Sequence, residues 1–187
     1  TPVDADGYFD LPGPVAAMLE QEVTERLEKE GYTVIPSSVL AGIRSTMEQQ
    51  VGGITDPATG EMDLARAQAV RTHAFRELWF QREFDALGNI RVSISRVSVE
   101  NDRVEWNGTE QDIPHEGRSP KYTAKVYVSS VALGFYDARF QPLYLNYGGL
   151  EPLMHRAGEQ LEALPNDRLF RDQKKIREAV EIALAPL

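Results

Sequence analysis

The hydrophobic pattern of this chain changes period near its middle, and that change limits the fold more than any other feature. In the first half apolar residues recur at helical spacing; from Ile90 onward they alternate.

Pro14 suits the first turn of a helix, where its missing N–H costs nothing. Val15, Met18, Leu19, Val23 and Leu27 follow at helical spacing with charged residues between them, and Gly31 closes the run as a left-handed cap. Tyr32-Thr33-Val34-Ile35 reads as a short strand stopped by Pro36. Ser37 and Ser38 read as N-caps of a second helix with Val39, Leu40, Ile43 and Met47 on one face, closed by Gly52-Gly53. After a turn-rich segment, Asp63 caps a third helix whose expected buried stripe is Leu64, Ala67, Val70, Ala74, Leu78 and Trp79.

Ile90, Val92 and Ile94 then alternate, and the pattern resumes out of phase at Val97 and Val99, which points to a bulge near Ser95-Arg96. Asn101-Asp102 is a hairpin turn before a returning strand with Val104 and Trp106. A long strand spans about 122–135, Asp137-Ala138-Arg139 turns, and Leu143, Leu145 and Tyr147 alternate in the next strand. A last helix turns Ile176, Val180, Ala183 and Leu184 inward. This order predicts an α+β fold, with helices packed on a mixed, largely antiparallel sheet: a helix-rich amino-terminal half, then a strand meander closed by a helix. Residues 1–12 are expected as an extended lead-in and 13–187 as one domain, a size that buries a core without disulfide or metal.

Twenty Lys and Arg face 29 Asp and Glu, a formal charge of −9, so phosphate backbones and anionic membranes are repelled on average. The densest basic run, Arg171, Lys174, Lys175 and Arg177, is interspersed with Asp172, Glu178 and Glu181 and reads as a solvated helix face. The absence of cysteine excludes disulfides, thiol nucleophiles and Cys-based zinc sites within these residues. No apolar run approaches the about 20 residues of a membrane-spanning helix. The opening Thr1-Pro2-Val3 lacks an initiator Met and reads as a processed or trimmed start, with any targeting segment upstream.

Motifs that carry chemistry are weak. His73, His115 and His155 have no metal-ligand spacing; His73 reads as a partly covered helix residue and His115 as a loop residue. No Gly-x-Ser-x-Gly elbow exists, and Gly52-Gly53 lacks the Lys-Ser/Thr of a phosphate loop. Gly148-Gly149 marks a bulge or a close backbone approach. Asp56, Thr59, Glu61 and Asp63 offer oxygens for calcium, but Ala58 takes a ligand position and Gly60 comes one residue early for an EF-hand. Trp106-Asn107-Gly108 either presents an aromatic ring to a partner or packs it on the core; Asn107-Gly108-Thr109 also matches the N-glycosylation pattern.

The order of segments resembles a group of bacterial envelope proteins: the curli-secretion-channel lipoproteins, the penicillin-binding-protein activator lipoproteins and the amino-terminal domain of the Tol-system propeller protein. The residues that carry the resemblance are Leu27 through Pro36, Gly52-Gly53 with Asp56-Pro57 and Thr59-Gly60, and Phe84-Asp85-Ala86. Val104-Glu105-Trp106-Asn107-Gly108 and the closing segment 176–187 complete it. The lipid-acceptor Cys of the lipoproteins is absent, which implies a removed amino terminus or a member without a lipid anchor.

The resemblance implies a non-enzymatic module of the periplasm or outer membrane that binds another envelope protein or assembles with itself. No cofactor, metal or nucleic acid is expected, and membrane contact only through an upstream anchor. The expected interaction surface is Gly52, Gly53, Asp56, Thr59, Gly60 and Glu61, with Trp106 and Asn107. Two alternatives stay open: a carboxylate-dependent hydrolase of glycan or peptide, and a small-ligand or calcium-binding domain.

Overall fold

Helix α1 (Gly13–Lys29) buries Val15, Leu19 and Val23, with Met18 and Leu27 against the same core. Gly31, at φ 91°, ends it in the left-handed conformation that a side chain resists. The computed structural model describes residues 8–9, 13–116, 124–157 and 160–187. Within the expected lead-in only Tyr8–Phe9, strand β1, is described; Pro2, Gly7 and Pro12 lie outside the described residues, as do Gly117 and Tyr122.

The expected strand at Tyr32–Ile35 does not form; these residues are irregular. A strand needs a neighbour, and none of the sheets admits this segment. Nor do Ser37 and Ser38 cap helix α2 (Ser37–Gln50), because Pro36 occupies the cap position. Instead the Ser37 N–H and hydroxyl both donate to the Glu20 carboxylate, at 3.0 and 2.8 Å, tying α2 to α1.

Asp63 does cap helix α3 (Leu64–Arg82), accepting the Arg66 N–H at 3.0 Å. The buried stripe is narrower than expected. Val70, Ala74 and Leu78 are buried, whereas Ala67 is half-buried, Trp79 is exposed at the stripe's margin, and Leu64 is 74% exposed. His73 is exposed too. α3 packs mainly on α2, so only the seam of an antiparallel helical hairpin is covered. An edge-to-face contact between Phe75 and Phe140, ring centres 5.4 Å apart, links α3 to the sheet.

Asp85-Ala86 leads directly into the long strand β2 (Leu87–Val99). Asn101 and Asp102, both at positive φ, make the expected two-residue turn into β3 (Arg103–Trp106). A second such turn, Asn107-Gly108, joins β3 to β4 (Thr109–Asp112). His115 is not a loop residue but starts β5 (His115–Glu116), which runs parallel to β8 (Met154–Ala157). Strands β6 (Ala124–Tyr136), β7 (Pro142–Pro152) and β9 (Gln160–Ala163) pair antiparallel with their neighbours. The main sheet runs β1-β2-β6-β7, beside the β3-β4 hairpin and a three-stranded sheet β5-β8-β9.

β2 and β6 pair without interruption from Leu87↔Tyr136 to Val99↔Ala124, so the bulge expected near Ser95-Arg96 is absent. The ribbon buries opposite faces at its two ends. Val92 and Val131 lie directly opposite in a core with α1 and helix α4 (Gln173–Leu184). Val97 and Val126, also paired, face a second core with Val99, Val128, Val104, Trp106 and Ile113. Val92 and Val97 differ in parity, so their side chains project from opposite faces of the sheet. A change of covered face produces the same phase slip in sequence as a bulge.

The bulges lie between β6 and β7, at Ser129/Ser130 and Phe135/Tyr136. α4, capped by Asp172, turns Ile176, Ala179, Val180, Ala183 and Leu184 inward onto β7. Helices in the first half, strands in the second and a closing helix make the α+β fold predicted from the period change.

Candidate interaction surface

The segment linking α2 to α3 forms the tip of the helical hairpin. Its backbone is closed on itself. The Asp56 carboxylate accepts the Ala58 and Thr59 N–H groups, at 2.7 and 3.4 Å, an Asx turn that uses Asp56's tolerance for such folding-back. Gly60 N–H donates to the Asp56 carbonyl and Asp56 N–H to that of Glu61, both at 2.8 Å. The Thr59 hydroxyl accepts the Glu61 N–H, Asp63 N–H reaches the Ile54 carbonyl, and Arg66 donates to that of Gly53 at 3.2 Å. Gly52, Gly53 and Gly60 all hold positive φ, which glycine adopts without a Cβ penalty.

This tip places five of the expected residues in solvent: Gly52, Asp56, Thr59, Gly60 and Glu61 are exposed, and Gly53 is half-buried. The sequence reading did not include its apolar flanks. Val51, Met62 and Leu64 are 47%, 58% and 74% exposed around the same loop. Apolar side chains held outward by a hydrogen-bonded backbone form a ready contact surface for another protein. Spacing carries no signal for them, because Leu64 falls on the helical stripe that reads as buried.

Trp106 and Asn107 are not at the tip, and of the two only Asn107 is exposed. Trp106 is 5% exposed, in the second core. Its indole Nε1–H donates to the Ser129 carbonyl at 2.9 Å, and the Asn107 side-chain amide donates to the Ser130 hydroxyl at 2.8 Å. These are the residues of the β6–β7 bulge, where the ladder leaves backbone groups unpaired. The hairpin supplies the missing partners along β7 as well: Gly149 N–H donates to the Asn107 carbonyl, and the Thr109 hydroxyl and Gln111 amide donate to the Gly149 and Leu150 carbonyls. Trp106-Asn107 is therefore a clasp on the bulge. Packing on the core is the reading of Trp106 that holds.

Glu151 is a buried carboxylate that accepts the Phe170 N–H. Burial pushes its carboxyl above the usual range; the Phe170 N–H and the nearby Lys175 charge oppose the shift, and Asp172 adds to it. An open hollow of about 430 Å³ lies where Thr109 meets α4, with Glu110, Glu178 and Glu181 in its wall. Glu110 is held there by Arg103 at 2.9 Å. On the basic segment, Arg177 pairs with Glu22 and Lys174 with Glu178. Among the described residues, no three His, Cys, Asp or Glu side chains stand close enough to hold a metal, and no helix is long and apolar enough to cross a membrane.

Comparison with protein families, curated proteins and solved structures finds none that matches this chain. The fold and the surface therefore define its class, an α+β domain that presents an apolar helical-hairpin tip.

Proposed function

We propose that this chain is a non-enzymatic protein-interaction or assembly module of the bacterial cell envelope, periplasmic or attached to the outer membrane. Its partner docks on the tip of the α2–α3 hairpin. The observation that carries this reading is the exposure of Val51, Met62 and Leu64 around a loop already rigid through its own hydrogen bonds. Such a surface binds with little ordering cost, because the loop need not find its conformation on contact. The envelope placement is supported by the resemblance carried by the segments 27–36, 52–60 and 104–108.

A photo-crosslinking residue at Met62, compared with one at the exposed Glu28 of α1, tests the tip in cells expressing the protein from its natural gene. The expected result is one discrete adduct from position 62, absent from position 28 and lost when Leu64→Asp is added, in the periplasmic or membrane fraction. Equal adducts from both positions, or a cytosolic protein, would overturn the proposal.

A further inference from the structure

Strand β7 is the outer strand of the main sheet, and its two halves differ. The half near Gly149 is closed by the β3–β4 hairpin. Gly149 directs both its N–H and its C=O away from β6, toward Asn107 and Thr109. Pairing with β6 is regular from Tyr144 to Gly149, and in an antiparallel ladder the outward direction recurs at every second residue. Leu145 and Tyr147 therefore direct their N–H and C=O groups to the open edge, where the described residues supply no partner. Leu145 is 52% exposed, and Leu143, at the adjoining bulge, is 60% exposed.

Edges of this kind are ordinarily protected by charge, proline or a bulge; Pro142 and the bulge beside it guard only the start of β7. The whole stretch from Phe140 to Leu150 carries no charge, in a chain of net charge −9. Two copies repel at a distance, and this edge is where close approach costs least. We propose that β7 pairs antiparallel with β7 of a second copy about a two-fold axis at Leu145, joining two four-stranded sheets into one. The register is self-complementary. Leu145 meets its own copy, and Leu143 falls opposite the partner's Tyr147, an aliphatic–aromatic cross-strand pair.

Charge at the ends selects the same occupant. Arg139, exposed in the β6–β7 turn and without an ion pair among the described residues, lies beyond one end of the free edge. Glu181 lies near Thr109, beyond the other, with Glu110 and Glu178, which Arg103 and Lys174 already pair. Antiparallel pairing sets the Arg139 end of each copy beside the acidic end of its partner. The inference rests on the assembly half of the proposed function and on a different face from the tip.

Sedimentation of the chain over about 1–100 μM, where edge-paired sheets of modest area associate, reads the state directly. A dimer is expected, reduced to monomer by Leu145→Lys with the far-UV CD spectrum unchanged. Arg139→Glu is expected to weaken it by roughly tenfold, and the added Glu178→Arg and Glu181→Arg changes to restore it. Because the chain lacks cysteine, Leu145→Cys alone should give a disulfide-linked dimer under oxidation, since hydrogen-bonded partners stand about 5.5 Å apart at Cα, and Glu28→Cys should not. A wild-type monomer throughout the range, or a dimer unaffected by Leu145→Lys, would overturn the inference. Should Leu145→Lys lose its CD spectrum, the Leu145→Cys crosslink decides. The Met62 adduct survives Leu145→Lys, so failure of the edge and failure of the tip are separate results.

Discussion

Gly148 of β7 lies so close to α4 that a Cβ there would stand 1.8 Å from the Ala179 carbonyl oxygen. Sheet and closing helix touch through backbone, with no flexible side chain between them to give way. Gly148→Ala should therefore destabilise the fold by about 3 kcal/mol, the upper part of the overpacking range, read as a lower urea midpoint. Ala at the exposed helical Gly42, where a Cβ meets nothing within 4 Å, is the control and should be neutral or stabilising.

Trp106 combines core burial with the hydrogen bond to Ser129 that closes the bulge. Trp106→Ala should cost about 3–5 kcal/mol through the cavity it leaves. Trp106→Phe should cost less, keeping most of the ring volume but leaving the Ser129 carbonyl without its donor, a loss of about 1–3 kcal/mol. Chemical denaturation of both variants checks the order. Equal, negligible losses would mean that the ring is not part of the core.

Glu151 gives a pH signature. Its folded-state pKa is raised, mainly by burial, so the folded protein holds the proton more tightly than the unfolded chain does. Stability from this group is greatest in acid and declines as pH rises from the unfolded carboxylate value through the raised one. Glu151→Gln keeps an oxygen for the Phe170 N–H without the charge. It should be more stable than wild type at pH 7–8, with the difference shrinking toward pH 4 in a series of melting curves. A difference that grows in acid would contradict the assignment.

Two aspartates cap helices in the same way and should behave differently. Asp172 accepts the Lys174 and Lys175 N–H groups at the start of α4, which lies in the core. Asp63 accepts the Arg66 N–H at the start of α3, whose first turn is exposed. Replacing either with Ala should cost about 1 kcal/mol. For Asp172→Ala the loss should lower the global unfolding midpoint, whereas for Asp63→Ala it should emerge as faster amide exchange confined to the first turns of α3.

Elements that close their own hydrogen bonds were legible. The helices beginning near Pro14 and at Asp63, and the Asn101-Asp102 turn, follow from spacing, caps and turn chemistry within a few residues. Asn107-Gly108 carries the same turn signature as Asn101-Asp102, which left two readings of Trp106 open, and its turn fixes Trp106 in the core. The candidate site was half legible. The tip loop was found from its Asp, Gly and Pro content, but the exposure of Leu64 was hidden because a helical stripe does not reveal how much of it a neighbour covers.

By itself the sequence determined the order and type of most elements, since a capped helix or a two-residue hairpin is settled by interactions within one or two turns of chain. Only the tertiary structure decided which face each strand buries. Val92 and Val97 lie on one unbroken strand and enter different cores because helices cover one end of the ribbon and a hairpin covers the other. Tyr32–Ile35, with a strand's composition, stays irregular for the related reason that a strand's hydrogen bonds belong to its neighbour.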